Sequence, residues 1–259
     1  EKKTMSRLHF AKPNIKLIKM KLIGFIVQSF SLLAGHTCPY AKDCLSKAIL
    51  DVLTGKRTIE DGPDTKFRCY SASQETQYTG VYATRSRNTE IMRACKSQLE
   101  IFNKLVEGIK SLSKHTNALR VHESGDFFSS DYLNAWIDVC NHFPHIRFYA
   151  YTKALPFLLK HSQKVLETPN LNITLSRGGM RDDLIPTLKQ KGFFEAIVVF
   201  SVQEALEKGL PIDNDDSHAL LGGEDFALLV HGTQPKKDKR GLNEVEIERN
   251  KTITQHSKF

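Results

Sequence analysis

The stretch LRVHESGDFFSSDYLNAWIDVCNHFPHIRFYAYT, residues 119–152, contains a strand, a helix and a second strand. LRVHES at 119–124 and RFYAYT at 147–152 have the β-branched and aromatic content of buried strands. Between them SDYLNAWIDVCNHF at 130–143 follows a serine suited to cap a helix and carries apolar residues at helical spacing. Two buried strands joined by a helix make a parallel crossover unit. The unit repeats: strands are expected at NITLS (172–176), AIVVFS (196–201) and FALLVHG (226–232), with helices at LPFLLKHSQKVLE (155–167), DDLIPTLKQKG (182–192) and VQEALEKG (202–209). FIVQSFS (25–31) adds a strand in front, six in all. Midpoints near 122, 149, 174, 199 and 229 lie 25 to 30 residues apart, the period of βα units in a parallel barrel or a doubly wound sheet. The first connection, 32–118, is exceptional. It holds a cysteine-bearing insertion and then a pattern that predicts one long helix over roughly 86–112, with Ile91, Cys95, Leu99, Phe102, Leu105, Val106 and Ile109 on its apolar face.

A chain of 259 residues, 40% hydrophobic and 25% charged, can bury one large α/β core without disulfides. Its five cysteines are an odd number and no signal-peptide pattern opens the sequence, which argues for a reducing cytoplasm. The longest apolar run, LIGFIVQSFSLLAG (22–35), includes Gln28 and two serines and is too short to span a bilayer, so no membrane partner is expected. The net charge of +8 sits at the ends: residues 1–22 carry seven Lys/Arg against Glu1, and 233–259 carry seven against four acids. The middle, 23–232, is close to neutral. The expected organisation is therefore a basic segment 1–22, an α/β domain 23–232 and a basic tail 233–259. Nucleic-acid binding through the basic ends is not favoured, because tails on a neutral body do not make a shaped groove.

Parallel α/β folds place their chemistry at the carboxyl ends of the strands. Those ends hold His36, Thr37 and Cys38, then Ser124, Gly125 and Asp126, then Thr152 and Lys153, then Ser176, Arg177 and two glycines, then Ser201 and Gln203, and finally His231 and Gln234. HTCPYAKDC (36–44) and CYSAS (69–73) gather Cys38, Cys44 and Cys69 into one loop region, 35–73. The spacing C-x5-C-x24-C lacks the second close pair usual for structural zinc. Three thiolates can hold an iron–sulfur cluster with one iron left open. The competing readings are a small buried hydrophobe, which suits Cys95 and Cys140 on helix faces, and a nucleophile, for which the sequence shows no partnered base. His36 is the histidine placed to join a metal shell. Asp126 could equally cap the helix that follows, Arg177 could pair with Asp182 or Asp183, and Lys153 could be a solvated head on a buried stem.

HTCPYAKDC, CYSAS, VHESGDFFSSDYLNAW and FYAYTK together resemble the bacteriophage gene product 88 family of uncharacterised proteins, over most of residues 25–232. Relatives place their cysteines closer together and carry CYA where this chain has Cys69, Tyr70 and Ser71. That family is in turn distantly similar to radical S-adenosylmethionine enzymes, in which three cysteines follow the first strand and a Gly-Gly-Glu-like motif ends the second. The cysteine spacing here is not the C-x3-C-x2-C of those enzymes. The resemblance implies a single-domain α/β fold, a parallel (β/α)6 partial barrel of TIM-barrel-like type, in the host cytoplasm if the chain is phage-encoded. It implies a [4Fe–4S] cluster on Cys38, Cys44 and Cys69, and S-adenosylmethionine held by Ser124, Gly125, Asp126, Thr152, Lys153, Ser176 and Arg177. Reductive cleavage of the sulfonium would give a 5′-deoxyadenosyl radical, with a ferredoxin or flavodoxin type of reductant as partner.

Two alternatives stay open. One keeps the cluster in a structural, redox-sensing or electron-transfer role. The other is a zinc-dependent or metal-free nucleic-acid-binding module. PIDNDDSHALLGGED (211–225) lacks the register of a calcium loop and reads as a polar loop or lid. SRGGM (176–180) lacks the lysine of a phosphate loop, although its glycines could bring amides to an anion.

Overall fold

In the computed structural model, which describes residues 7–232 and 234, the chain begins with β1 (Phe10–Ala11), α1 (Ile15–Ile18) and a 3-10 turn (Lys19–Ile23). Next come β2 (Val27–Phe30), a hairpin of β3 (Ser46–Leu50) and β4 (Arg57–Asp61), and the helices α2 (Tyr70–Gln77), α3 (Thr79–Ala94) and α4 (Gln98–Ile109). From β5 (Ala118–Val121) onward strand and helix alternate: α5 (Ser130–His142), β6 (Arg147–Thr152), α6 (Leu155–Leu166), β7 (Leu171–Ser176), α7 (Ile185–Gln190) and β8 (Glu195–Val199). The series ends with α8 (Val202–Glu207), α9 (Ser217–Leu221) and β9 (Phe226–Leu229).

Seven strands form one sheet in the order β1-β2-β5-β6-β7-β8-β9. The six expected strands are all parallel and adjacent in chain order, while β1 pairs antiparallel with β2, Phe10 opposite Phe30. The sheet is open, so the architecture is a mixed α/β domain with a mostly parallel sheet, and among the described residues no sheet closes into a barrel.

Side chains alternate between two cores, as a period of two requires. Leu119, Val121, Phe148, Ala150, Ile173 and Leu175 pack with the large helices, around Trp136, whose ring meets Phe30 and Phe148 at centroid distances of 5.7 and 6.4 Å. Val27, Ala118, Tyr149 and Phe226 face the other way and are covered by Leu17, Met20, Ala219 and Leu220. Short pieces of chain, α1, the 3-10 turn and α9, thus cover the face that a closed barrel would turn inward.

Three expectations change. The single helix over 86–112 is two helices, because Ser97 accepts from the Glu100 amide (3.2 Å) and Glu100 accepts from the Lys96 amide (2.7 Å), a reciprocal cap that starts α4 afresh. Leu99, expected on the apolar face, is 66% exposed as a result. The segment 1–22 is not simply a basic extension: β1 and α1 belong to the fold, and Lys16 reaches the carboxylate of Asp216 at 2.7 Å. The polar loop expected over 211–225 contains the short helix α9, and its Asp213 and Asp216 are buried. The basic tail expected over 233–259 lies outside the described residues apart from Gln234.

Candidate functional site

The carboxyl ends of the parallel strands meet on one rim, joined by hydrogen bonds from strand to strand. The Leu32 amide donates to the Ser124 carbonyl at 2.9 Å, linking the ends of β2 and β5. Asp126 links β5 to β6: it accepts from Thr152 Oγ1 (2.6 Å), from the Lys153 amide (2.9 Å) and from the Phe127 amide (2.7 Å). Lys153 continues to β7, its Nζ donating to Ser176 Oγ (2.5 Å) and the Arg177 carbonyl (3.0 Å). Gly125 is needed at this junction, with φ +86° and an added Cβ meeting Thr37 Oγ1 at 2.5 Å.

The cysteine segment is sewn onto this rim. Thr37 Oγ1 donates to the Leu33 carbonyl (2.8 Å) and shapes the turn before Cys38. The strip around Cys44 then lies along the end of β7: the Asp43 amide donates to the Gly178 carbonyl (2.9 Å) and the Met180 amide to the Tyr40 carbonyl (2.8 Å). The 24 residues between Cys44 and Cys69 go out and return. Leu45 accepts at its carbonyl from the Gly62 amide (2.7 Å) and Thr65 Oγ1 (2.6 Å), so the β3–β4 hairpin is tied off at its base. Lys66 and Phe67 donate their amides to the Asp43 carbonyl (2.7 and 3.1 Å), which brings Cys69 back beside Cys44. The Cys69 amide donates to Ser46 Oγ (3.2 Å), and Ser46 donates to Asp61, which also receives a forked pair of bonds from Arg68. Gln234 holds the Arg68 amide and carbonyl at 2.9 and 3.2 Å from the end of β9.

Cys38, Cys44 and Cys69 are each half-buried; backbone groups of Gly35 face the Cys38 sulfur and those of Ser71 and Ala72 face the Cys69 sulfur, whereas Cys95 Sγ donates to the Ile91 carbonyl (3.3 Å). Burial pushes the Cys38 thiol well above its ordinary value, and the charges of Asp126, Cys69 and Cys44 push the same way. Cys69 is pushed up to about 11 by burial and by Cys44. The three thiols therefore sense one another's charge. Among the described residues no group of three or more His, Cys, Asp and Glu side chains is arranged to hold a single metal ion.

The family described as Gene product 88 matches residues 2–251. The chain belongs to that family. It is similar to the Gene 88 protein of Mycobacterium phage D29, 27% identical over 136 residues that cover 50% of this chain and 55% of that protein. It is also similar to the Gene 88 protein of Mycobacterium phage L5, 29% identical over 136 residues that cover 50% of this chain and 56% of that protein. The matched part is thus little more than half the length of these curated relatives. No solved structure matches. The gene product 88 resemblance read from the cysteine and SGDF motifs is shown, and the relatives support a phage-type protein. Among the described residues no helix is long and apolar enough to cross a membrane.

In this gene product 88 chain the residues expected to bind S-adenosylmethionine stand on the rim, where they are bonded to one another and to neighbouring protein groups. Ser124 Oγ donates to Glu75 (2.9 Å), and Thr152 Oγ1 both donates to Asp126 and accepts from the Ala154 amide. Arg177 pairs with Glu195 (2.7 Å) in place of the expected Asp182 or Asp183. Asp182 instead accepts the amides of Gly178 and Gly179 (2.9 and 3.0 Å), which fills the anion site those glycines could have offered. Asp126 does not cap α5, whose cap is Ser129. His36 Nε2 donates to the Ala48 carbonyl (3.0 Å). His122 is a core residue hydrogen-bonded to the Tyr132 hydroxyl (2.8 Å), with its pKa lowered to about 3 by burial and by Arg120.

Sequence reasoning missed Glu75. It is fully buried, and its carboxylate accepts the Ala34 amide (3.1 Å), Ser124 Oγ and Arg85 Nη1 (3.0 Å). One side chain on the Cys69 helix thus fixes the turn that leads into Cys38 and the SGD turn. Glu75 and Arg85 are ten residues apart on different helices, a separation that no local pattern signals.

Proposed function

We propose that this chain is an iron–sulfur protein whose Cys38, Cys44 and Cys69 hold a [4Fe–4S] cluster. The observation that carries the reading is the closure of the hairpin base, which returns Cys69 to Cys44, so that Cys38, Cys44 and Cys69 of the C-x5-C-x24-C spacing lie within reach of one another's charge. The donor set fits. Burial and neighbouring negative charge push the Cys38 and Cys69 thiols up, and iron is the kind of positive charge that would offset thiolates there.

The finer reading is radical S-adenosylmethionine chemistry on a six-stranded partial barrel. Three features support it: the sequential order of six parallel strands, the thiols after the first of them, and Ser124-Gly125-Asp126 after the second. A cluster held by three thiolates offers an open iron to the amino and carboxylate groups of that cofactor. The chain's own part would be to hold the thiols through Ser46, Gln234 and Glu75. One observation favours a second reading, a cluster in a structural, redox-sensing or electron-transfer role: Ser124, Asp126, Thr152, Lys153 and Arg177 are already engaged with protein partners.

The two are separated on anaerobically reconstituted protein with S-adenosylmethionine and a chemical reductant. The radical reading predicts a changed electron paramagnetic resonance spectrum of the reduced cluster and release of 5′-deoxyadenosine. An unaltered spectrum with no deoxyadenosine leaves the second reading in its place.

A further inference from the structure

The second face of the sheet carries a set of donors that the cysteine site does not use. Arg120 on β5, Tyr149 and Tyr151 on β6 and Lys16 on α1 converge on one carboxylate, that of Asp216. Each oxygen takes two partners. Oδ1 accepts from Lys16 Nζ (2.7 Å) and Tyr151 OH (3.5 Å), and Oδ2 accepts from Arg120 Nη1 (2.8 Å) and Tyr149 OH (3.0 Å). Arg120 also lies over the Tyr151 ring, 5.3 Å from its centroid, and donates to the His122 carbonyl (3.2 Å). Donors from three separate elements are therefore arranged about a planar, two-oxygen anion.

The residue that supplies the anion is unusual. Asp216 has φ +69°, the one non-glycine residue among those described with a left-handed backbone, a conformation that persists only where surrounding contacts impose it. It enters from the short segment that continues into α9, past which Gly222 and Gly223 have φ +70° and +105°. The segment is also held by the Arg147 side chain on the Leu220 carbonyl (3.2 Å), the Asn172 amide on the Ala219 carbonyl (2.5 Å), the buried Ala219 and Leu220, the His218 ring 5.3 Å from that of Phe226, and at its base the Asp213 amide on the Ala227 carbonyl (2.9 Å). Beside it Asp213 is buried with one carboxylate oxygen lacking a partner.

We propose that Lys16, Arg120, Tyr149 and Tyr151 form a receptor for the carboxylate of a small ligand, and that Asp216 is its internal occupant, which an entering ligand displaces together with α9. The four donors are spaced for the two oxygens of the carboxylate they already hold, a geometry that a ligand carboxylate would reproduce. The receptor does not depend on a metal at the cysteines. Its ligand would sit on the sheet's second face, below Glu123 and Tyr70, whose hydroxyl donates to Glu123 at 3.1 Å and whose neighbour is Cys69.

Hydrogen exchange on the full chain tests it, with millimolar malonate, inorganic phosphate or chloride at matched ionic strength. Malonate should speed exchange of amides in 214–222 by roughly tenfold through displacement of α9, with phosphate and chloride much weaker. Asp216→Asn, which keeps the shape and removes the competing charge, should bind malonate at least roughly tenfold more tightly than the wild type by thermal shift. Unchanged exchange in the wild type overturns the proposal whether or not the variant folds, and leaves Asp216 as a structural ion pair. An equal response to phosphate overturns the carboxylate assignment.

Discussion

At the scale of single residues, the molecule hides its ionisable groups and then bonds them. Glu75 and Arg85 are both buried and paired, and Glu75 holds two further donors from the turns that carry the candidate site. Removing one partner of such a pair leaves an uncompensated charge, which costs more than the pair itself contributes. His122 is the opposite case, a histidine kept neutral. Its pKa falls from 6.5 to about 3 in the folded protein, mainly through burial, so the unfolded chain takes up a proton that the folded chain refuses. Its stabilising effect is fully present above about pH 6.5 and is lost as pH falls toward 3. Stability measured by urea unfolding should therefore decline over that window, and His122→Gln should flatten the decline. Equal slopes in the two proteins would mean that other groups drive acid unfolding. The sequence placed His122 at a strand end but could not say which way it points: His122 faces the Trp136 core, while Glu123, one residue on, faces Ser29 and Tyr70.

At the scale of elements, what was legible followed periodicity. The strands after β5 and the helices α5 to α8 lie within a few residues of their expected bounds, because apolar runs and serine caps are local signals. The break between α3 and α4 was also legible in principle, as Ser97-Gln98-Leu99-Glu100 is a capping box, but the apolar face read across it obscured the stop. The β3–β4 hairpin was not legible, since its strands carry Lys47, Arg57 and Glu60 and pair only with each other. Its base touches the candidate site through Ser46, Ala48 and Asp61, and Arg57 further out donates to the Glu75 carbonyl (3.0 Å), while Val52 and Leu53 near its tip are 83% and 93% exposed. Replacing residues 51–56 with an Asn-Gly turn joins Leu50 to Arg57, which already face each other, keeps the Arg57 bond to Glu75, and should leave iron content after reconstitution unchanged. Ser46→Ala, which frees the Cys69 amide, should lower it. Iron analysis beside a thermal melt checks both, and loss of iron in the shortened but folded chain would show that the tip takes part.

At the scale of the whole molecule, the order of the parallel strands was readable because each βα unit closes on its neighbour, but the openness of the sheet was not. What covers the second face is decided by α1 and α9, of four and five residues, too short to show a period and separated from each other by most of the chain. The gathering of the thiols was half-legible: Cys38 and Cys44 follow the first strand in sequence, whereas Cys69 arrives only through the closed hairpin. The same closure makes a prediction about the metal-free state. Because burial and Cys44 hold the Cys69 thiol neutral up to about 11 against an ordinary 9.0, the chain without metal should lose stability as pH rises through that interval, measurable by thermal melts. A cluster would remove this dependence by taking the thiols as thiolates.

The central claim is the cluster, and anaerobic purification followed by iron and acid-labile sulfide analysis tests it most directly, on the wild type and on five single alanine variants. The account predicts iron and sulfide in equal amounts, about four of each per chain. They should be lost in Cys38→Ala, Cys44→Ala and Cys69→Ala and kept in Cys95→Ala and Cys140→Ala, whose thiols lie at the end of α3 and inside the core. Colourless wild-type protein holding stoichiometric zinc, or no metal at all after reconstitution with iron and sulfide, would contradict it.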